Sequence, residues 1–348
     1  MRSFRDRDYL ITPEGFIFTV IGNLHPAERV IAYLKYIPDV RGKWGLGRSR
    51  YRRALAHYNV LSVLDSVQFL REKAPQYVFE SPVDRISLPA VPKDRIAAHL
   101  CPDKRLLEIQ RAQSRDELES KALKFAEFIS EEAGVPKESL GLTGSILARI
   151  HDPTFSDIDL VVYGFENAVR VRALLHKLTS SSSGPIRRLV GASREKWIGE
   201  RLKSTPLMRR AVIALFARKW NIGSFEETEF SVHAVHTEIE VHQRYGDERY
   251  LPLGIVDATA KVAPSNESMF MPAVFEVESV DLKGSRVISR VDRIVSYEGL
   301  YADVAVEGET VSCRGKVERS ESSSGVYHRI VVGSPEAEGT DYLLPLGR

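Results

Sequence analysis

The spacing of apolar residues changes twice along the chain and divides it into three regions. In the first region, residues 1–105, apolar runs at 9–11, 16–21 and 29–37 are short and bounded by turn residues, which predicts a small sheet. Residues 51–73 instead place apolar side chains at helical spacing, which predicts a helix. The first region is therefore expected to be an α+β unit.

The second region, residues 106–250, alternates between the helical and the strand period. Ser114 and Glu117 form a capping-box pattern, and helical spacing continues from there to Gly134. The other predicted elements are a strand at 140–143, the start of a helix at 145–150, a strand at 157–163, a helix at 166–178, helices between 187 and 221 with a break near Pro206, and a strand at 229–236. This order predicts a mixed sheet with helices.

The third region, residues 251–348, consists of short apolar runs separated by Gly, Pro, Asp and Ser. Such spacing is typical of a small antiparallel barrel or sandwich. The predicted strands are 254–262, 273–280, 285–288, 293–297, 301–306, 310–317 and 327–332. The whole chain is therefore predicted to be a multidomain α+β protein.

Composition narrows the class of protein without pointing to a substrate. With 348 residues, 43% hydrophobic and 28% charged, the chain has the balance of an ordinary globular protein with several cores. The 49 basic and 47 acidic residues nearly cancel, and the two cysteines suggest neither a disulfide framework nor a cysteine zinc site. We find no membrane-spanning run or signal-peptide core, so a cytoplasmic location is expected. Five Asn, five Gln and four Met are typical of a thermophile.

Two carboxylates and a glycine turn carry the candidate chemistry. Asp157 and Asp159 alternate with an apolar residue at the start of the 157–163 strand, so their side chains face the same way, with Cα atoms roughly 6.6 Å apart. Mg²⁺ is usually held by one or two carboxylates together with water and substrate phosphates. Gly144 and Ser145 open the predicted helix, and a helix N-terminus attracts anions. The pattern therefore predicts a metal and nucleotide site.

The motifs LTGS at 142–145 and SDIDL at 156–160 resemble the signature of the DNA polymerase β-type nucleotidyltransferase superfamily. That signature is a Gly-Ser or Gly-Gly turn followed about ten residues later by an Asp-x-Asp strand. The surrounding helices and strands extend the resemblance over residues 114–165, and the chain as a whole is similar to a set of archaeal predicted nucleotidyltransferases. The resemblance implies a polymerase β-like core.

The resemblance also implies a role for each matching residue. Gly144 and Ser145 would hold the triphosphate of a nucleotide such as ATP, and Asp157 and Asp159 would bind Mg²⁺ or Mn²⁺ and act as the catalytic pair. The expected reaction moves a nucleoside monophosphate from a nucleoside triphosphate to a hydroxyl.

Enzymes of this superfamily add a third carboxylate from a neighbouring strand, which here should be 229–236. Its middle carries His233 rather than an acid. Either His233 occupies the third position and the site is altered, or Glu229, Glu238 or Glu240 reaches in. Without a third carboxylate, nucleotide binding can persist without efficient transfer, because two-metal catalysis needs both the attacking and the leaving oxygen to be held.

Two cation-rich stretches are candidate nucleic-acid contacts. The first, 39–53, groups six cations around Trp44 and three glycines: Arg41, Lys43, Arg48, Arg50, Arg52 and Arg53. It could follow a phosphate backbone and stack a base, or it could be a solvated loop. The second, 187–219, carries ten cations, and Lys219 is the one we expect to reach the triphosphate because it precedes the candidate third strand.

Among acceptors, an RNA 3′ end is preferred on account of these cations, over a protein hydroxyl or a small molecule. The alternative prediction is a non-catalytic nucleic-acid-binding protein that keeps the fold with a degenerate site. A third prediction is an interaction module that binds neither nucleotide nor RNA.

Overall fold

A computed structural model describes residues 2–46, 49–55, 60–180, 184–264, 267–283, 290–323 and 325–347. Within these residues the chain forms three sheets and seven α-helices, which confirms the predicted α+β class. The predicted strand at 285–288 and Arg48 of the basic stretch lie outside the described residues. No helix in the described part of the chain has the length and apolar character that crossing a membrane requires.

The N-terminal region is built on an eight-stranded sheet with one helix against it. Its elements are β1 (Tyr9–Ile11), β2 (Ile17–Val20), β3 (Arg29–Pro38), β4 (Trp44–Leu46), β5 (Ser49–Arg53), α1 (Val60–Lys73), β6 (Val78–Glu80), β7 (Ser87–Pro92) and β8 (Ala98–Leu100). The strands follow the order β4-β5-β3-β2-β1-β8, and β7 pairs with both β3 and β6. Leu10, Phe18, Leu34 and Leu70 are fully buried between sheet and helix.

Of the predicted helix at 51–73, residues Val60–Lys73 are helical and residues 51–55 are not, while 56–59 lie outside the described residues. Residues 49–53 instead form β5, in which Arg53 pairs with Tyr36 of β3 and Tyr51 pairs with Trp44 of β4. The ladder with β3 satisfies backbone groups that a strand edge would otherwise expose, and this non-local pairing overrides the local helical spacing. The predicted basic loop is therefore a β-hairpin, β4–β5.

A mixed five-stranded sheet occupies the middle of the chain. Its elements are α2 (Pro102–Arg111), α3 (Glu117–Ala133), β9 (Leu140–Leu142), α4 (Gly144–Leu147), β10 (Ile158–Tyr163), α5 (Phe165–Thr179), β11 (Ile186–Arg187), α6 (Gly191–Ser204), α7 (Arg209–Arg218), β12 (Ile222–Phe225) and β13 (Thr228–Val235). The strand order is β11-β12-β13-β10-β9, with β10 and β13 parallel and the other pairs antiparallel. Phe125 of α3 and Val171 of α5 lie in the core against this sheet.

The N-cap of helix α3 is Asp116, two residues after the predicted cap Ser114. The carboxylate of Asp116, not the hydroxyl of Ser114, accepts the Glu119 backbone N–H at 2.8 Å, and the Glu119 carboxylate accepts the Asp116 N–H. A capping box needs an extended N-cap residue, and Asp116 has that conformation. The helix ends at Gly134, as predicted, with φ at 63°.

The C-terminal strands close into a small barrel. They are β14 (Glu248–Val262), β15 (Ala273–Lys283), β16 (Arg293–Ser296), β17 (Thr310–Ser322), β18 (Gly325–Val332) and β19 (Tyr342–Pro345). The order is β14-β15-β16-β18-β17, and β17 pairs back to β14, which closes the ring, while β19 adds to β17. All pairs are antiparallel except β16 with β18. The predicted strand at 301–306 is a turn instead, and β19 was not predicted.

The buried faces of helices α6 and α7 share their core with the barrel. Trp197 of α6 and Leu215 of α7 share a core with Phe275 of β15 and Val317 of β17. The predicted boundaries at 105/106 and 250/251 fall inside α2 and β14.

Candidate functional site

The turn between β9 and α4 is pressed against one carboxylate of β10. Gly144 has φ at 69°, and a Cβ atom added to it would lie 2.0 Å from Oδ2 of Asp159. The Thr143 N–H donates to the Asp159 carbonyl at 2.9 Å, which fixes the turn beside the strand. Only glycine fits here, both for its left-handed backbone and for the space it leaves. The structure therefore brings Gly144 and Asp159 together, as the spacing of the two motifs predicts.

Asp157 and Asp159 flank Ile158, which is fully buried in the core of the mixed sheet. Strand β10 begins at Ile158, so Asp157 lies in the connection immediately before it. The charge of the Asp159 carboxylate raises the pKa of Asp157 to about 6, and burial adds to the shift. The two carboxylates are therefore close enough to repel each other.

Asp159 is held in place from the neighbouring strand. Ser231 lies opposite Asp159 in the parallel β10–β13 ladder and donates its hydroxyl to Oδ1. His233 Nε2 lies 2.9 Å from the Ser231 hydroxyl and 3.8 Å from the same carboxylate oxygen. Burial works to raise the pKa of Asp159, but His233, the charge of Lys35 and the Ser231 hydroxyl together hold it well below its ordinary value. Asp159 is therefore the first of the pair to ionise as the pH rises.

His233 is a neutral hydrogen-bond donor in this arrangement. Burial, with the charge of Arg7, lowers the pKa of His233 to about 4 in spite of the nearby Asp159. The single O–H of Ser231 is given to Asp159, so the proton between Ser231 and His233 must come from the imidazole Nε2. Strand β13 therefore places a neutral ring beside Asp159, which supports this carboxylate and adds no negative charge.

The three glutamates that could have supplied the third carboxylate have partners elsewhere. Glu229 accepts the Ser193 hydroxyl at 2.5 Å. Glu238 accepts from Ser3 and Arg5, and Glu240 accepts the backbone N–H groups of residues 165 and 237. Of the alternatives that the sequence leaves open, the structure thus places His233 at the carboxylate pair.

Cations of the N-terminal sheet face this pair. The charges of Arg53 in β5 and Lys35 in β3 partly oppose the rise in the pKa of Asp157. Lys35 also helps to lower the pKa of Asp159. Arg7 has φ at 70°, and its carbonyl accepts the hydroxyl of Thr143 at 2.9 Å. The site is therefore formed between the N-terminal and middle regions. Sequence reasoning did not find Lys35 or Arg7, although Lys35 is the one charged residue within the apolar 29–37 run beyond its first position.

Ser145 lies inside α4, which has four residues in place of the longer helix predicted at 145–150. Its side chain is buried, and its carbonyl accepts the Ile150 N–H at 3.0 Å. A single turn has only a small dipole, because the dipole is a sum over aligned peptide units. The phosphate-binding role of Ser145 therefore rests on the resemblance and not on a helix dipole.

Lys219 does not lie with the aspartates, which corrects its expected position. Its buried ammonium donates to the carbonyls of Gly299 and Ala302, both at 2.8 Å, in the β-rich region. Burial lowers the pKa of Lys219 to about 7. The lysine therefore joins α7 to the barrel side of the molecule and is closed to a triphosphate in solvent.

Among the described residues, two groups of three side chains, neither of which includes Asp157 or Asp159, have donor atoms close enough to hold a metal ion. They are Asp8, His99 and Cys101, and Asp116, Glu119 and His151. Asp8 already accepts two hydrogen bonds from the Arg2 guanidinium, at 2.6 and 3.0 Å. Asp116 and Glu119 are occupied by the cap of α3. Protein partners thus already neutralise or orient these carboxylates, whereas Asp157 and Asp159 face each other with like charge.

No family model matches the chain, and no solved structure matches it. Among curated proteins, an uncharacterized protein of Methanocaldococcus jannaschii is 28% identical to it over 353 residues. That alignment covers 97% of this chain and 98% of the archaeal protein. The similarity therefore spans the N-terminal sheet, the mixed sheet and the barrel together.

Proposed function

We propose that this protein is a Mg²⁺- or Mn²⁺-dependent nucleotidyltransferase with a polymerase β-like core. The observation that carries the proposal is the pair Asp157 and Asp159, two largely buried carboxylates that repel each other beside the Gly144 turn. A divalent cation would relieve that repulsion, and oxygen donors of this kind are the ligands Mg²⁺ prefers. The donor set therefore fits such an ion.

Each side chain would have a defined task in the reaction. Asp157 and Asp159 would hold the ion, which when bound neutralises charge on the phosphates. Lys35 and Arg53, whose charges already act on the aspartates, would offset the remaining charge of the triphosphate. By resemblance, Gly144 and Ser145 would seat the β- and γ-phosphates.

The proposed chemistry transfers a nucleoside monophosphate to a hydroxyl, with an RNA 3′ end as the preferred acceptor. A bond forms between the acceptor oxygen and the α-phosphorus, the bond from that phosphorus to the bridging oxygen breaks, and pyrophosphate leaves with the electron pair. The hydroxyl proton is lost to solvent. Such a reaction depends mainly on positioning and charge neutralisation.

A second candidate function is nucleic-acid binding without transfer. The observation that favours it is the neutral His233, hydrogen-bonded to Ser231 where the superfamily has an acid. Under this alternative the fold and the cationic surfaces persist, and the carboxylate pair no longer supports turnover.

The test incubates the purified protein with Mg²⁺ or Mn²⁺, each α-labelled nucleoside triphosphate, and total RNA or none. Asp157→Asn and Asp159→Asn are compared with Asp65→Asn, which alters an exposed acid on α1. We expect label to enter RNA, and each site variant to lose activity by about a thousandfold or more while circular dichroism stays unchanged.

The outcomes separate the two functions. Full activity in both site variants would overturn the proposal. RNA binding without label transfer under any condition would establish the second candidate.

A further inference from the structure

An exposed aromatic edge lies beside the carboxylate pair. The rings of Trp44 and Phe155 meet nearly at right angles, with centroids 6.3 Å apart. Trp44 belongs to β4 of the N-terminal sheet, whereas Phe155 lies two residues before Asp157. The Phe155 side chain is 38% exposed. Residues from two regions thus create one apolar surface next to the site.

The turn that presents Phe155 is fixed by its own hydrogen bonds. The Asp152 N–H donates to the Ser156 hydroxyl at 3.0 Å, and the Thr154 N–H and hydroxyl both donate to the Asp152 carboxylate. A turn of this kind can hold a polar residue at its tip without loss of stability. The ring of Phe155 contacts Trp44 and Lys43 and still leaves part of its surface exposed for contact with a ligand.

Two cations lie over these rings, one on a face of each, and connect them to the site. The ammonium of Lys43 lies 3.8 Å from the Phe155 centroid, and the guanidinium carbon of Arg53 lies 4.7 Å from that of Trp44. The same Arg53 is near enough to Asp157 to lower its pKa. The edge, its cations and the carboxylates therefore form one continuous surface, which we name the Trp44–Phe155 platform: Trp44, Phe155, Lys43 and Arg53.

The charge on the rest of the β4–β5 hairpin indicates a ligand with several phosphates. Arg41, Arg50 and Arg52 are exposed on the hairpin or just before it. A nucleoside triphosphate would occupy only the cations at the carboxylates, whereas a polynucleotide places successive phosphates along such a row. Bases stacked on aromatic rings and phosphates beside cations are how proteins bind single strands.

We propose that the terminal base of a single-stranded polynucleotide stacks on the Trp44–Phe155 platform, which presents the 3′-hydroxyl of the strand to Asp157 and Asp159. The reaction at that hydroxyl rests on the proposed function, but the binding of the strand does not. Single strands of RNA and of DNA both carry the bases and phosphates that this surface would bind, and the experiment compares the two.

The test measures binding in EDTA without nucleotide, so that no transfer can occur. Fluorescence anisotropy follows a short RNA, a DNA of the same sequence, and the matching duplex. We expect Phe155→Ala to weaken single-strand binding by about 5- to 100-fold, and Phe155→Tyr to retain it. Val40→Ala, which truncates a side chain that is 79% exposed just before the hairpin, should leave it unchanged.

A second readout reports the direction of the strand. Stacking should quench the fluorescence of a 2-aminopurine base at the 3′ end in the wild type and in Trp44→Phe. The fluorescence should recover in Phe155→Ala. Quenching only at the 5′ end, or equal binding of Phe155→Ala and wild type, would overturn the inference. A tighter complex with RNA or with DNA identifies which strand is bound.

Failure of this inference can be told apart from failure of the proposed function. If Asp157→Asn and wild type both quench the 3′ base but neither transfers label, the platform stands and the reaction does not. If label is transferred while Phe155→Ala changes nothing, the acceptor is not held here.

Discussion

The two cation-rich stretches of the sequence, 39–53 and 187–219, make different contacts in the structure. On the α6–α7 side, Arg218 donates to both carboxylate oxygens of Glu309 at 2.7 and 2.9 Å, and Lys219 is buried against carbonyls. Arg188 caps the end of α7 by donating to two carbonyls. These cations stabilise the junction between helices and barrel.

On the hairpin side, Arg52 pairs with Asp39 of its own region, but two other cations contact aromatic rings at the boundary with the middle region. Lys43 contacts Phe155, and Arg53 contacts Trp44 while acting on the pKa of Asp157. The comparison teaches that the number of cations in a stretch does not predict a phosphate site. What each cation already contacts within the chain decides whether it is available to a ligand.

The largest effect is expected where the backbone meets the carboxylate pair. Gly144→Ala should lower the free energy of unfolding by about 2–5 kcal/mol, because it combines a left-handed backbone with a Cβ placed on the Asp159 carboxylate. Chemical denaturation measures this. Gly134→Ala shares the left-handed backbone but meets no atom within 4 Å, so it should cost only about 1 kcal/mol. Equal losses in both variants would contradict the close approach.

The next effect uses pH to test the burial of Lys219. Its pKa is about 7 in the folded protein and 10.5 in the unfolded chain, so between these values the unfolded state binds the extra proton. The free energy of unfolding contributed by this group should therefore rise with pH from about 7 to 10, by at most about 1.4 kcal/mol per pH unit. Lys219→Met should lack this rise, whereas Lys203→Met, at an exposed position, should keep it. Parallel pH profiles of all three proteins would show that Lys219 is solvated.

The third prediction compares the loss of stability when one arginine is removed from each of the two cation-rich stretches. Arg218→Ala removes the two hydrogen bonds that Arg218 donates to Glu309 and should lower the free energy of unfolding by about 1–3 kcal/mol. Arg53→Ala on the exposed hairpin should lower it by only about 0.5–1 kcal/mol, the value of an exposed cation–π contact. Denaturant titration of both, with Arg210→Ala as an exposed control on α7, makes the comparison. A reversed order would break the assignment of structural and ligand-facing cations.

The smallest expected effect is the change in the salt dependence of single-strand binding when one lysine charge is removed. Lys43→Gln should reduce the slope of log affinity against log salt for a single strand by about 0.7, the value of one phosphate contact. Lys196→Gln, an exposed lysine on α6, should leave the slope unchanged. Anisotropy titrations at several salt concentrations give both slopes, and an equal reduction in the two variants would extend the binding surface to α6.

The sequence predicts best what neighbouring residues decide. The alternating run at 229–236 predicts strand β13, whose place beside β10 is implied only by the resemblance, and the closeness of Gly144 to Asp159 follows from the motif spacing. The end of α3 at Gly134 is also local, since a glycine there accepts the left-handed backbone.

What the sequence does not predict depends on contacts between distant residues. Residues 51–53 have helical spacing but become a strand because β3 needs a partner. Lys35 reaches the aspartates only because the N-terminal sheet docks on the middle region, and no local pattern records that docking. Likewise, the barrel closes through β14 and β17, whose paired residues lie about 50 to 75 positions apart.

The hydrogen bond from Thr143 to the Arg7 carbonyl joins parts of the site that are far apart in the sequence, and this separation has a consequence for synthesis on the ribosome. Asp159 follows Arg7 by 152 positions (159 − 7), which takes roughly 8 to 30 seconds to translate. The cationic half of the site therefore leaves the ribosome well before the acidic half. A product that ends between Arg53 and Asp157 contains the basic hairpin residues but neither carboxylate, so it lacks the pair that would hold the ion in the proposed reaction.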